Sequence, residues 1–485
     1  MSKHEAIGYG ELTLVSPYDV QTLQDIRLSQ AVNDHARLVL TGIIPAEQKD
    51  RCMQEATSMD QVELYQLSKG KRVRPLFRGQ VTKLVVRMVR GIYQIELEAI
   101  SATAQLDYKQ QSRSFQNGQM TYEAMLREII KSYAGADIID QASKGAKTQA
   151  FILQYRETDW QFLQRLASHF RTVLVPAVDS AQPKLWFGLP EGNIVQLAAN
   201  HYSVSKNRML YLQAKQNDTS HPLAEEDILH YSVTSTQPAA LGDRVHFQGK
   251  ELVIAKSIAR MEQGVWTYDY HLVPKTGIYQ AKQTLSAHTG IALQGKVLEV
   301  KKDQVRLHLL MDEKQKKEEA TWFSLATPYS AEGHSGFYSP PEEGDSVQLI
   351  VPSIEERSAF VRQSLRQDGD KNPKTAEADT AYWGNANGKE IKLEPQAVTL
   401  TATEGAVYIS VHQDSGIEVQ SQHPLAVTAG GNLVLTGNTI SWTATESIHF
   451  TCRSSSLVLD GISDIQGQVV YMTGSSKAPV PLGGA

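Results

Sequence analysis

The chain has 485 residues, 41% of them apolar and 21% charged, with a formal net charge of −5. That is enough for three or four domains with packed cores. The negative balance excludes general nucleic-acid affinity, because no basic excess exists to neutralise phosphates, and two cysteines, Cys52 and Cys452, exclude a disulfide framework.

The start, MSKHEAIGYGELTL, lacks an apolar signal-peptide core, and no run of about 18 apolar residues occurs anywhere. Synthesis in the cytoplasm without a signal peptide is expected, with any later release outside the cell using another route. From Ile7 to about Ile100 the pattern predicts strands. RLVLTGIIP (37–45) and PLFRGQVTKLVVRMVRGIYQIELEAIS (75–101) alternate, the second around Gly79 and Gly91, and the stretch between them reads as loop or short helix. A small twisted barrel or sheet should result.

The period then changes. Thr121 can cap a helix over 121–134 carrying Tyr122, Leu126, Ile129, Ile130 and Tyr133 at helical spacing, with Gly135 ending it. A second helix is predicted over 158–170, with Thr158 as cap and Trp160, Leu163, Leu166, Ala167 and Phe170 on one face. Glu157 and Asp159 suit its N-terminal dipole, and Arg165 should be surface or paired. The same residues with His169 could form an acid/base set, but the amphipathic helix is the simpler account. TVLVPAV and KLWFGLP predict a hairpin around Ser180–Pro183, and a β block covers 202–274.

Residues 290–366 give five short strands, suiting a small closed barrel of the OB-fold type, with the charged run DEKQKKEE as a solvated hairpin tip. A polar linker follows at 366–390. From Ile391 to Met472, apolar clusters begin at 391, 398, 407, 417, 425, 433, 440, 448 and 457, a step of roughly eight residues. Strands this short cannot bury a core alone, and each leaves open backbone edges. A single-chain β-helix usually needs coils of about 20 residues or more. An eight-residue step fits one face of a prism closed by two other chains, a rod on the order of 50 Å long. The expected trimer core is Val407, Ile409, Leu433, Leu435, Ile440, Ile448, Phe450, Leu457 and Leu459. An ordinary β-solenoid or a Ser/Thr-rich stalk is the alternative. The last strand, GQVVYM, would leave open edges suited to docking at Val470, Met472 and Gly474. Pro479 and Pro481 make Gly474–Ala485 an extended arm.

Catalytic signals are weak. No H-E-x-x-H or G-x-S-x-G occurs, and SKGAKT (143–148) lacks the first glycine of a phosphate loop. Asp368, Asp370, Asn372 and Asp379 are spaced faintly like a calcium loop, but Pro373 stands where that loop needs glycine. There is no H-x-H, and His449 and Cys452 should lie on opposite strand faces. Glu404, Asp414, Glu418, Glu446 and Asp460 are scattered. No catalytic, cofactor-binding or metal residue is therefore expected, and the chain reads as a mechanical component and not an enzyme.

Several stretches carry a resemblance. FRGQV (77–81), Leu106-Asp107 followed by RSFQN (113–117), and above all FILQYRETDWQFLQRLASHF (151–170) resemble the VgrG family of trimeric spike proteins from type VI secretion and related contractile injection machines. Trp322 with Thr327-Pro328-Tyr329, and Pro341 to Val347, are similar to its OB-fold segment, although the usual second Trp and an arginine are missing there. The resemblance implies a mainly β fold with minor α. Its parts would be a hub-like tube-docking region at 1–275 (two related β-barrel domains plus helices), an OB-fold domain at 290–366 and a linker at 367–390. A triple-stranded β-helix spike at 391–473 and a tail at 474–485 would follow. The two related units would be 7–101 and a block mainly from 175–274, so that a trimer presents a pseudo-sixfold ring.

The implied function is a homotrimeric central spike that joins a tail tube to a tip protein and punctures a target envelope. Implied partners are two further copies, a hexameric tail-tube protein at the N-terminal end, a tip protein of the Pro-Ala-Ala-Arg (PAAR) class at the C-terminal end, baseplate proteins and effector cargo. No room for a fused effector is expected. A tail-associated hydrolase or a receptor-binding stalk built on a β-helix is the alternative.

Overall fold

The computed structural model describes residues 7–199, 201–217, 223–278, 280–284, 289–327, 329–330, 336–364, 374, 376–466, 468–469 and 471. The chain divides into two compact units, Met1–Pro373 and Lys374–Ala485.

The first unit is built on one twelve-stranded sheet. Its main path runs Leu12–Val15, Gln61–Ser68, Lys71–Val89, Ile92–Ser101, Arg37–Ile43, Thr22–Ala31, Lys250–Glu262, Val265–Val273, Leu229–Ser235, His201–Lys206. Period-two alternation explains how each strand faces. In the long ribbon of Lys71–Val89 and Ile92–Ser101, Leu84 and Val86 lie opposite Leu97 and Ile95 toward the core. On the other face Lys83 pairs with Glu98 at 2.6 Å and Arg87 with Glu96 at 2.8 Å. The ribbon turns at Arg90 and Gly91, both at positive φ (51° and 79°). The β blocks of the two halves do not stand apart. Thr22–Ala31 pairs with Lys250–Glu262, setting Leu28 opposite Ala259, and one core containing Ile26, Leu38, Leu97, Trp266 and Tyr270 runs beneath both.

Four α-helices lie among the described residues: α1 (Lys49–Glu55), α2 (Tyr122–Ile130), α3 (Asp159–His169) and α4 (Arg208–Asn217). Thr121 and Thr158 cap α2 and α3, accepting from Ala124 N and Gln161 N. α2 ends four residues before the expected boundary, where Tyr133 N turns back to Ile130 O and Gly135 takes φ 68°. α4 corrects the reading of 202–274 as entirely β. RMLYLQAKQN is rich in good helix formers, but Met209 and Leu212 are exposed while Ala214 is buried, so its apolar residues do not form one buried stripe that marks the helix in the pattern. Leu126, Ile129, Phe162, Leu163 and Leu166 of α2 and α3 are wholly buried, each stabilising by about 1.5–3 kcal/mol.

A closed five-stranded barrel follows, formed by Ile291–Lys301, Gln304–Leu309, Trp322–Leu325, Phe360–Ser364 and Ser346–Val351, with the last pairing back to the first. Its core holds Val305, Leu307, Leu309, Leu349 and Val361. It also takes in Phe151 and Leu153 from the strand leading to α3, with Phe151 edge-on to Phe323 at 5.1 Å. Most of the charged run 312–319 is solvated as expected. Asp312 is the exception and turns inward.

The second unit begins with an antiparallel meander: Ala381–Gly384, Glu390–Leu393, Ala397–Thr403, Val407–His412, Gly416–Gln420. Its first strand lies where the sequence reads as linker. A separate three-stranded sheet follows at Ile448–Cys452, Ser455–Leu459 and Ser463–Gln466. Between them, 421–447 forms no strand, although clusters at 425, 433 and 440 predict three. Among the described residues this stretch pairs with no other strand. No described helix is long and apolar enough to cross a membrane.

Candidate functional site: a buried ionic joint and an uncovered apolar sheet

The residues of the most distinctive motif, 151–170, converge with RSFQN on a joint within the first unit. Asp159 is wholly buried at the first position of α3. Its carboxylate accepts from Arg113 Nη2 at 2.5 Å, Gln154 Nε2 at 2.9 Å and the Tyr133 hydroxyl at 2.8 Å. A buried carboxylate satisfied by a cation and two neutral donors is a structural node. Thr158, the cap of α3, also donates to Asp107 at 2.5 Å, and the other Asp107 oxygen lies 3.7 Å from His35 Nε2. His35 is buried against Trp160, with ring centroids 4.3 Å apart, and burial lowers its pKa against the opposing pull of Asp107.

The other end of α3 grips the barrel. Arg165 is 2% exposed. Its Nε and Nη2 donate to both Glu157 oxygens at 2.9 and 2.8 Å, Nη2 also to Leu153 O at 2.5 Å, and Nη1 to Glu356 of the barrel at 2.8 Å. Arg165 is thus paired, not surface. Burial pushes the Glu356 carboxyl up, and Arg165 opposes it. RSFQN adds two more ties. Asp312 accepts from Ser114 N and Oγ at 2.7 and 2.6 Å, with its pKa raised by burial. Gln116 donates to Leu307 O at 3.2 Å and accepts from Thr321 N and Oγ1.

The acid/base set does not assemble. Glu157 and Asp159 are held by different arginines, and no hydrogen bond joins His169 to either carboxylate among the described residues. Burial, reinforced by Arg165 and Lys282, lowers His169 to about 4. Sequence reasoning missed the barrel's share of the joint, because Glu356 and Asp312 carry no local signal of it. SKGAKT follows the strand Asp137–Asp140 but opens no helix. Asp140 Oδ1 accepts from Ala142 N and Ser143 N, and Lys144 and Gly145 take φ of 49° and 77°, so the phosphate-loop geometry is absent. Among the described residues, no group of three or more His, Cys, Asp or Glu is placed to hold a metal. Asp368, Asp370 and Asn372, and also Pro328, lie outside them.

In the second unit the expected core residues fall on exposed faces. Ile409 lies opposite Leu400 and Val419, and Val411 opposite Val398 and Ile417, making one apolar face with Val407 two residues before Ile409. Ile409 is 43% exposed and Leu400 50%. Ile448 pairs with Leu459, and Phe450 with Leu457, on a common face of the second sheet. Leu433, Leu435 and Ile440 lie in the unladdered stretch and are exposed, like neighbouring Trp442, whose ring meets Phe450 at 5.9 Å. Val470, Met472 and Gly474 lie outside the described residues. A contiguous apolar face of this kind, left open to water, marks an interaction surface.

Comparison with known proteins agrees with this architecture. Residues 61–170 match the family model of the phage tail baseplate hub (GPD), a span that contains most of the joint. No curated protein sequence matches the chain significantly. Among solved structures, the Escherichia coli c3393 protein is described as a type VI secretion component similar to the T4 bacteriophage tail proteins gp27 and gp5. It aligns at 14% identity with a TM-score of 0.50, over 73% of this chain and all of that one. A chain of the lidded Francisella PdpA-VgrG complex aligns at 9% identity with a TM-score of 0.54, over 84% of this chain and 79% of that one. The half-lidded form gives 9% and 0.53, over 84% and 87%. The mainly β fold with a small closed barrel is thus similar to the fold of these VgrG and tail-protein structures.

Proposed function

We propose that this chain is the homotrimeric central hub and spike of a contractile injection machine, joining a tail tube to a tip protein and puncturing the target envelope. The observation that carries the reading is the apolar face of the second unit, where Leu400, Ile409, Val411 and Val419 are open to water in the single chain. Three chains bringing these faces together, with Leu433, Leu435 and Ile440, would remove them from water and complete the ladder that 421–447 lacks. Each side chain fully buried this way stabilises the assembly by about 1.5–3 kcal/mol.

In this reading residues 1–275 dock to a hexameric tube protein and the barrel at 290–366 follows. Segment 367–390 leads into the spike at 391–473, and the arm 474–485 clasps a tip protein of the PAAR class at Val470, Met472 and Gly474. Baseplate proteins and effector cargo complete the partners. If the two β blocks of each chain are related, a trimer would offer six similar units at its wide end. Light scattering is the test. A trimer at micromolar concentration is expected, and a well-folded monomer would end the proposal. Leu435→Asp should place three carboxylates near one axis and abolish assembly.

A further inference from the structure

Three cations converge on a cleft of about 530 Å³ in the first unit, apart from the joint. Lys144 comes from the turn after Asp137–Asp140. Arg244 is the first residue of the strand Arg244–Phe247, and Lys275 lies in the short turn after Val265–Val273. They come from three distant stretches, so this is not a charge run that happens to face water. Neither Lys144 nor Lys275 has an acidic partner among the described residues, and Arg244 reaches Glu251 only at 3.9 Å. One carboxylate, Glu191, lines the same cleft. The local excess is positive in a chain of net charge −5.

The walls are fixed. The Asp140 side chain holds the turn that presents Lys144. Arg244 N donates to Asn193 O at 2.8 Å, and Asn193 N to Asp243 at 2.9 Å, anchoring the 189–193 loop. That loop packs so closely that a Cβ on Gly192 would lie 2.3 Å from Gly242 O. Like charges gathered in a concavity focus a positive potential. A guanidinium fork and two ammonium groups lining one cleft suit phosphate oxygens. The volume is that of a small-molecule site. Glu191 disfavours a second anionic group but accepts from a hydroxyl or amine.

We propose that this cleft binds a phosphate ester whose attached group carries a hydroxyl or amine, either a soluble sugar phosphate or a phospholipid head group. The inference does not depend on the hub reading.

Two probes separate the sources. The full chain is titrated with glucose 6-phosphate by calorimetry, and sedimented with vesicles of phosphatidylethanolamine and phosphatidylglycerol. Saturable binding of one equivalent per chain is expected for at least one probe. The double variant Lys144→Gln/Lys275→Gln should weaken it tenfold or more. Both side chains are exposed, so its unfolding curve should match the parent's. Lys314→Gln/Lys316→Gln, on the solvated run beyond Asp312, should leave binding intact. Binding of the sugar phosphate alone assigns a soluble ligand, and of vesicles alone a lipid. No saturable binding of either probe, or an equal loss in both double variants, overturns the proposal.

Discussion

Arg165 of α3 donates to Glu356 of the barrel at 2.8 Å, and this contact spans two parts of the chain that share no sheet. The same guanidinium holds Glu157, so a single buried cation is shared by two carboxylates. The most distinctive sequence motif is therefore a fastening, and its chemistry is spent on shape.

Removing that cation leaves two partly buried carboxylates without a counter-charge. Arg165→Met should cost about 3–5 kcal/mol. Glu356→Gln, which keeps an acceptor, should cost less. Differential scanning calorimetry gives the order. Limited proteolysis should cut between the twelve-stranded sheet and the barrel faster in Arg165→Met, and equal resistance would remove the fastening role.

Stability should fall on mild acidification. His169 is held at about 4 when folded, against an ordinary 6.5, so the unfolded chain takes up its proton first. The stability from neutral His169 is complete above about pH 6.5 and is lost as pH falls to about 4, at most about 3 kcal/mol. Glu356 and Asp312, raised by burial, act with the opposite sign, because the folded chain binds their protons first. Melting temperatures at pH 7, 5.5 and 4.5 should converge on a flatter profile in His169→Gln, and an unchanged slope would discount the histidine.

Gly79 explains why FRGQV needs its glycine. A Cβ there would lie 2.3 Å from Ile100 O and 2.5 Å from the Phe77 ring, both held in the sheet. Gly79→Ala should destabilise by about 1–3 kcal/mol through forced backbone shifts. Urea unfolding measures it, and a neutral result would mean the ladder yields there.

Residues 421–447 should exchange amide hydrogens freely in any monomeric form, since they have no ladder of their own. In the assembled parent the same amides should be protected, and in Leu435→Asp they should not. Free exchange in the assembled parent would remove the stretch from the trimer core.

What could be read from the sequence was local. Thr158 and the spacing of Trp160, Leu163 and Leu166 gave α3 to within a residue, because cap and periodicity both sit inside the helix. The shared sheet was not legible, since no short-range pattern tells Ala31 that its partner is Lys256. Arg165 reads as surface or paired until Glu356 is brought to it, and Asp159 reads as a dipole partner until Arg113 and Tyr133 close over it. In the second unit, alternation marks Ile409 and Leu435 as inward-facing. In the single chain both side chains are exposed.

The pairing of Thr22–Ala31 with Lys250–Glu262 also orders events during synthesis. The early strand leaves the ribosome with one edge open and waits for a partner more than two hundred residues downstream. At about 5–20 residues per second the delay is on the order of ten to forty-five seconds. Throughout it, nascent chains on one messenger expose the same template, so the hazard this protein must escape is mispairing between siblings before its own second half arrives.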